Sequence, residues 1–497
     1  MANSTVSAHV DAIPDFGFFM QLLGPRLFEL HNEVHAFRQQ TPTPAATWEF
    51  EAKLEKGLCE VGRILLEHEF NRIEPEALAD CPVRLRLAGE EYKRRPKSTN
   101  TIGTLFGPIQ LHRYLYEPLE RGEKSIFPLE MQLGIEAGLA TPALAERVGL
   151  QAVDRTQKQV RDWLAQAHGV SWSTKSLRKL LASLRSGLSS FREPAQMEKL
   201  LGWLKQAARA KGPHQPVLAV GRDGIMVPLR GGKYQEASTG TVTVLDRRGH
   251  RLGTVYLGQM PQAGQVVLTN QLTSLLHEVL RRWNGKLPRL VYITDAGGHP
   301  SRYYEEVLCR MADPRQPVQR LKWQWIVDFW HACGYLAKLK ESLFGNTKAG
   351  WAWFKKMRHW LRHRLQGVAD VLRSATQLRN RRKRLGQDRA KLFEDSYGYL
   401  CRHAKWMAYA RYRRQGLPIG SGVTEAACKT VFTQRLKQSG MTWTVEGGQV
   451  IVDLRVLVLS GVWPKVYRAY QQSRPLPTPV IVASYQRLRK EPLKIAA

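Results

Sequence analysis

The chain has no paired cysteines. Its six, Cys59, Cys81, Cys309, Cys333, Cys401 and Cys428, are scattered without a CxxC, which excludes both a zinc ribbon and a disulfide framework. The opening MANSTVSAHVDAIPDFG lacks the basic-then-apolar layout of a signal peptide. No apolar run reaches membrane length, and the most apolar late stretch, VIVDLRVLVLSGVW, is interrupted by Asp453 and Arg455. These absences predict a reduced, cytoplasmic setting with no membrane partner. Acids are scarce too, with 43 Asp and Glu against 75 Lys and Arg in 497 residues and a net charge of +32. An excess that large points to a polyanion, because neutralising phosphates releases counterions from nucleic acid. No isolated basic amphipathic stretch favours an anionic lipid surface instead.

What is present suggests a multidomain α/β protein, since roughly three to four domains is the expectation for this length. Residues 1–125 read as a helical hairpin, a candidate dimerisation surface, followed by short strands. Residues 126–212 read as a mostly helical DNA-binding region. There Val160, Trp163, Leu164 and Ala167 share one helix face, HGVS makes a break, and Ser173 or Thr174 caps a second helix. That second helix turns Leu177, Leu180, Leu181 and Leu184 inward and Lys175, Arg178 and Lys179 outward, a helix-turn-helix pattern that any helical hairpin with surface lysines also gives.

Past the ARAKGPHQP boundary come three strand signals, then helix, strand, helix and strand, over 213–332. That order, completed by 418–465, is the order of a ribonuclease H-like core, by analogy. Residues 333–417 form a basic, all-helical insertion, and 466–497 a tail. From 334 to 417 there are 21 Lys and Arg against five Asp and Glu, a net of +16, interleaved with Trp and Tyr. Arg381, Arg382, Lys383 and Arg384 are its densest basic run and are candidate phosphate contacts.

Three acids stand where a metal-dependent phosphoryl-transfer site needs hard oxygen ligands: Asp223 in VLAVGRDGIMVPL, Asp295 in LVYITDAGG and Glu425 in GSGVTEAACK. The first two lie at or past the ends of β-branched runs, and the third opens a helix. Each also has an ordinary role. Asp223 and Asp295 can begin turns, and Glu425 can serve the helix dipole or pair with Lys429. Glu425 is about 200° round from Val423, at ~100° per residue, so a stripe of Val423, Ala426, Ala427, Thr430 and Val431 would aim it away from the sheet.

The segment PIGSGVTEAACKTVFTQRLKQSGMTWTVEGGQVIVDLRVLVLSGVW resembles the C-terminal signature of bacterial insertion-sequence transposases of the DDE type, in the ISKra-like and Mutator-like group. DGIMV and VYITDAGG look like that group's first and second acid motifs, and DFWHACGYL like its D-x-x-H element, here Asp328 and His331. The resemblance spans roughly 217–465. It implies that Asp223, Asp295 and Glu425 hold two Mg²⁺ (or Mn²⁺) ions, with Asp328 and His331 as candidate supporting residues. It also implies a nucleoid-associated dimer or higher oligomer acting on double-stranded DNA, at terminal inverted repeats and at a target. The other readings are a catalytically silent DNA-binding protein on the same scaffold and a structure-specific nuclease.

Overall fold

The computed structural model describes residues 16–77, 80–120, 122, 124–381 and 385–480. The chain divides into two compact units, Met1–Gly149 with Gln157–Leu184 and Gln471–Ala497, and Leu150–Thr156 with Arg185–Tyr470. Both mix helix and sheet. Among the described residues, no helix is long and apolar enough to cross a membrane. The N-terminal residues read for a signal peptide lie mostly outside the described part.

In the first unit α1 (Phe16–Arg38) and α2 (Pro44–Ile73) form the expected hairpin. Thr43 caps α2 by accepting from the Ala46 N–H, and Pro44 follows it, where a missing N–H costs nothing. A β-meander follows: β1 (Arg84–Leu87), β2 (Glu90–Thr104) and β3 (Gly107–Pro118), with the short strand Thr478–Pro479 on the far edge of β1. The β2–β3 register shifts between Arg94 and Lys97, around Pro96, which cannot donate to a ladder. After α3 (Pro128–Gln132) and α4 (Pro142–Asp154) come the two helices of the expected turn motif, α5 (Gln157–His168) and α6 (Thr174–Arg209), of which the end of α4 and the part of α6 past Leu184 belong to the second unit. Val160, Leu164, Leu177, Leu180, Leu181 and Leu184 are buried as their spacing predicts, and Ser173 caps α6 by accepting from the Ser176 N–H. Ala167, expected inside, is exposed. The second helix is also far longer than the sequence pattern implied, at 36 residues.

In the second unit β4 (Val217–Pro228), β5 (Tyr234–Leu245) and β6 (Arg251–Gln259) form an antiparallel meander. Then come α7 (Val266–Arg282), β7 (Arg289–Thr294), α8 (Gly298–Glu306), a small β8–β9 hairpin (Ala312–Asp313, Gln316–Arg320) and β10 (Trp323–Val327). The five-stranded sheet runs β10-β7-β4-β5-β6, with β4, β7 and β10 parallel. Its two faces are covered separately. Leu218, Val220, Val242, Val255 and Leu257 pack with Leu268, Leu272 and Leu276 of α7, whereas Val217, Val291, Ile293 and Ile326 pack with the helices that follow β10.

Those helices are α9 (Phe329–Phe344), α10 (Lys348–His363), α11 (Gly367–Arg381), α12 (Gln387–His403) and α13 (Tyr409–Arg414), so the basic segment is all-helical among its described residues. The chain returns through α14 (Gly422–Cys428), a π-turn over Lys429–Thr433, α15 (Gln434–Leu436), α16 (Val445–Leu459) and α17 (Trp463–Gln472). The two charges that interrupt the apolar run of α16 are both engaged. Asp453 accepts from Arg185 and Arg192, and buried Arg455 donates to the carbonyls of Val153 and Thr430.

Candidate active site

Asp223 does not end a strand. It sits mid-way along β4 opposite Thr239 of β5, two residues beyond Gly221, the last residue of β4 paired with β7. The Asp-Gly turn reading therefore fails, because both residues stay in the ladder. Past that point β4 has lost its parallel neighbour, near the carboxyl end of β7, and the Asp223 side chain lies against Cys428 of α14. Asp295 lies at that end of β7, directly after Thr294, as its sequence pattern predicts. It is also a turn former: its Oδ1 accepts from the Gly297 N–H at 2.9 Å, and Ala296 takes a left-handed φ of 64°.

Glu425 arrives on α14, whose buried face is Thr424, Ala427, Cys428 and Val431 rather than the expected stripe centred on Val423. The inward face is rotated by about one residue, ~100°. Glu425 therefore stands at the edge of the packed face instead of opposite it. Two contacts set this rotation. Thr424 Oγ1 lies 2.8 Å from Thr241 Oγ1 of β5, and α14 crosses β4 at Gly221, where any Cβ would fall 1.9 Å from Thr424 Oγ1. Only glycine admits the helix that closely. Glu425 itself is exposed and its Oε1 is 3.2 Å from Lys429 Nζ.

Burial is the main cause that pushes the Asp223 carboxyl up to about 6, and the charges of Asp295 and Glu425 push the same way. The three acids thus share one electrostatic neighbourhood. The two hydrogen bonds to Asp223 come from neutral groups: the Gly224 N–H to Oδ1 at 2.8 Å and the Cys428 thiol to Oδ2 at 3.4 Å. A desolvated carboxylate beside two like charges is short of positive charge, and hard oxygens suit Mg²⁺ or Mn²⁺. The donor set fits a divalent cation in kind. Among the described residues, however, no group of three or more His, Cys, Asp and Glu side chains is close enough to enclose one.

Asp328 and His331 are joined differently from a metal-binding pair. Asp328 is buried and caps α9, its Oδ1 accepting from the backbone N–H of His331 at 2.6 Å rather than from the ring. Its Oδ2 accepts from the Ser421 N–H, and its own N–H bonds the Thr294 carbonyl. One carboxylate therefore ties the end of β7, the start of α9 and the loop leading to Glu425. The His331 ring instead packs edge-on against Tyr335 and Tyr399, which stack on each other with ring centroids 3.7 Å apart.

Several residues had no sequence signal. Tyr399 donates its hydroxyl to the Asp295 carbonyl at 2.7 Å, 104 positions away. Cys428, by sequence one more unpaired cysteine, bonds Asp223 and Thr239, and burial pushes its thiol up. Arg222, on the opposite face of β4, is a buried guanidinium bonded to Thr269 and Gln265.

The proposed DNA contacts fall on both units. Lys175, Arg178 and Lys179 are exposed at the start of α6, although Arg178 Nε reaches Gln157 Oε1 and Lys179 Nζ reaches the Ala137 carbonyl. Arg381 is exposed at the end of α11, and Arg382, Lys383 and Arg384 lie outside the described residues. In the insertion Lys356 and Arg364 stand over the Trp360 ring and Lys340 over Trp351. Asp370 pairs with Arg364 and Arg373.

No protein-family profile matches the chain. It is 23% identical over 429 residues to the UPF0236 protein in the vanSb 3′ region of Streptococcus gallolyticus, a match covering 84% of each.

Proposed function

We propose that the chain is the transposase of an insertion sequence, a ribonuclease H-like enzyme that cuts and joins DNA with divalent metal. The observation that carries this reading is the placement of Asp223 on β4 just past its pairing with β7, whose end leads into Asp295, with Asp295 and Glu425 both adding to the rise of the Asp223 carboxyl, in a chain of net charge +32. The strand order β10-β7-β4-β5-β6, with helices on both faces, supports the ribonuclease H-like comparison. Asp223, Asp295 and Glu425 would hold the divalent metal, whose chemistry would be activation of an attacking oxygen and stabilisation of a leaving one.

The chain's own residues prepare that chemistry. Gly224 and Cys428 fix the two oxygens of Asp223, while Gly297 and Tyr399 hold Asp295 and its backbone. Asp328 anchors the loop that carries Glu425. In this reading water attacks first and frees a 3′-OH at the element's end, and that 3′-OH then attacks a target phosphodiester in line. The helices of 157–184 would read terminal repeats, and the basic insertion would grip phosphates.

A terminal-repeat duplex should be nicked in Mg²⁺ by the wild-type chain and not by Asp295→Asn; equal product from both would remove the metal-site assignment. DNA affinity should fall steeply with salt, by about 10³-fold or more between 50 and 200 mM if six or more phosphates are neutralised. A shallow slope in a fluorescence-anisotropy titration would mean that the insertion does not face DNA. One observation favours a second reading, a DNA-binding protein that keeps the scaffold without cutting: Glu425 is exposed and pairs with Lys429.

A further inference from the structure

The first unit holds a cavity of about 390 Å³ at the place where α2 ends. Its walls are mostly apolar: Ile73, Leu85 and Leu129, with Pro128, Pro477 and Pro479 closing the sides. Pro479 is fixed there by the short edge strand, in which it stands opposite Leu85 of β1. Tyr114 and Tyr116, two positions apart on β3, add aromatic surface. The Tyr116 hydroxyl is already spent on the Pro82 carbonyl at 2.7 Å, which leaves its ring for a ligand. A space of this size and lining suits a small organic molecule.

One charge is set into that wall. Glu74, the residue directly after α2, is 8% exposed and lines the cavity. Its Oε1 accepts from the Tyr114 N–H, which holds the carboxyl group in place. Among the described residues Oε2 takes no hydrogen bond and Glu74 forms no ion pair. Two cations stand nearby without reaching it. Arg113 Nε is bonded to Glu130 at 2.7 Å, and Lys97 Nζ lies over the Tyr114 ring, 5.4 Å from its centroid. Burial pushes the Glu74 carboxyl up, against the pull of the Tyr114 N–H and of those two charges. A buried carboxylate with an unused oxygen is costly unless something donates to it. The C-terminal end of a 30-residue helix adds negative potential at the same place.

We propose that this cavity binds a small organic cation, an ammonium group carrying an apolar or aromatic body. The ammonium donates to Glu74 Oε2 at the negative end of α2, and the body lies against the tyrosine rings and the prolines. Glu74 disfavours an anion, and a neutral ligand leaves its charge uncompensated. The site lies wholly in the first unit and uses none of the three acids, so it stands whether or not the chain cuts DNA.

The test is calorimetric titration of the full-length chain, without DNA or metal, with phenethylamine and with its neutral isostere phenethyl alcohol near neutral pH. Wild type should bind the amine with a Kd of about 1 mM or tighter, the range expected for a ligand of this size. The alcohol should bind at least ~10-fold more weakly, and Glu74→Gln, whose amide keeps an acceptor for the Tyr114 N–H, should bind both probes alike. Leu476→Trp, at a wall position 56% exposed, should weaken both probes with unchanged circular dichroism, because the larger ring takes up cavity volume. No saturable binding of the amine up to about 10 mM overturns the proposal. So do equal affinities of wild type for the two probes, an amine preference that survives Glu74→Gln, and amine binding that survives Leu476→Trp.

Discussion

Asp223→Asn is expected to abolish metal-dependent cleavage, by on the order of 10³-fold or more, while stabilising the metal-free protein at pH 8. On the proposed reading, the catalytic loss follows from removing one of the three carboxylates that would hold the metal. The gain follows from the carboxyl's rise from 3.8 to about 6, which burial dominates. Two units correspond to about 2–3 kcal/mol, and partial exposure brings the expected gain nearer to ~2 kcal/mol. The sign is fixed by linkage. The folded-state value lies above the unfolded one, so Asp223's stabilising contribution is fully present below about pH 4 and is lost as pH rises through 6. The variant should therefore gain most over wild type above pH 6 and little at pH 4, as read by urea melts. Mg²⁺ should narrow the gap at pH 8 by stabilising wild type alone. A variant no more stable than wild type at pH 8 would mean that Asp223 is well solvated.

Asp328→Ala should cost about 3–5 kcal/mol, because two charge-assisted bonds to backbone N–H groups of a buried carboxylate are lost together, each worth ~1.5–3 kcal/mol. Cleavage should fall even where the variant stays folded, since Ser421 leads to Glu425. Asp328→Asn should fall between, because an amide offers one acceptor oxygen where two N–H groups converge. His331→Ala should cost under about 1 kcal/mol, since Asp328 accepts from the His331 backbone and the ring makes only edge contacts. Urea midpoints for the three variants decide this, and an Asp328→Asn protein as stable as wild type would contradict the clamp.

These two residues also mark how much of the site is legible in the sequence. The β-branched runs before Asp223 and Asp295 placed both at or just past strand ends, because period and composition are local signals. The helical insertion and the leucine stripe of α6 were legible for the same reason. The continuation of β4 through Asp223-Gly224 was not, because the dipeptide favours a turn and only pairing with Thr239 and Ser238 keeps it in the ladder. The face of α14 is not legible because its rotation is set by Thr241 and Gly221, roughly 200 positions away and unmarked by any spacing. Asp328 announced itself only as the start of D-x-x-H, and its bond to Ser421 closes a gap of 93 residues.

The most direct test of the central claim is a joining assay. A labelled duplex ending in the DNA that flanks this reading frame is incubated with a target plasmid, Mg²⁺ and the full-length chain. Covalently joined donor–plasmid product from wild type, absent with Asp223→Asn and with EDTA, is the predicted result. Cleavage without joining would make the protein a nuclease. Specific binding with neither reaction would make it a DNA-binding protein that carries the three carboxylates without using them.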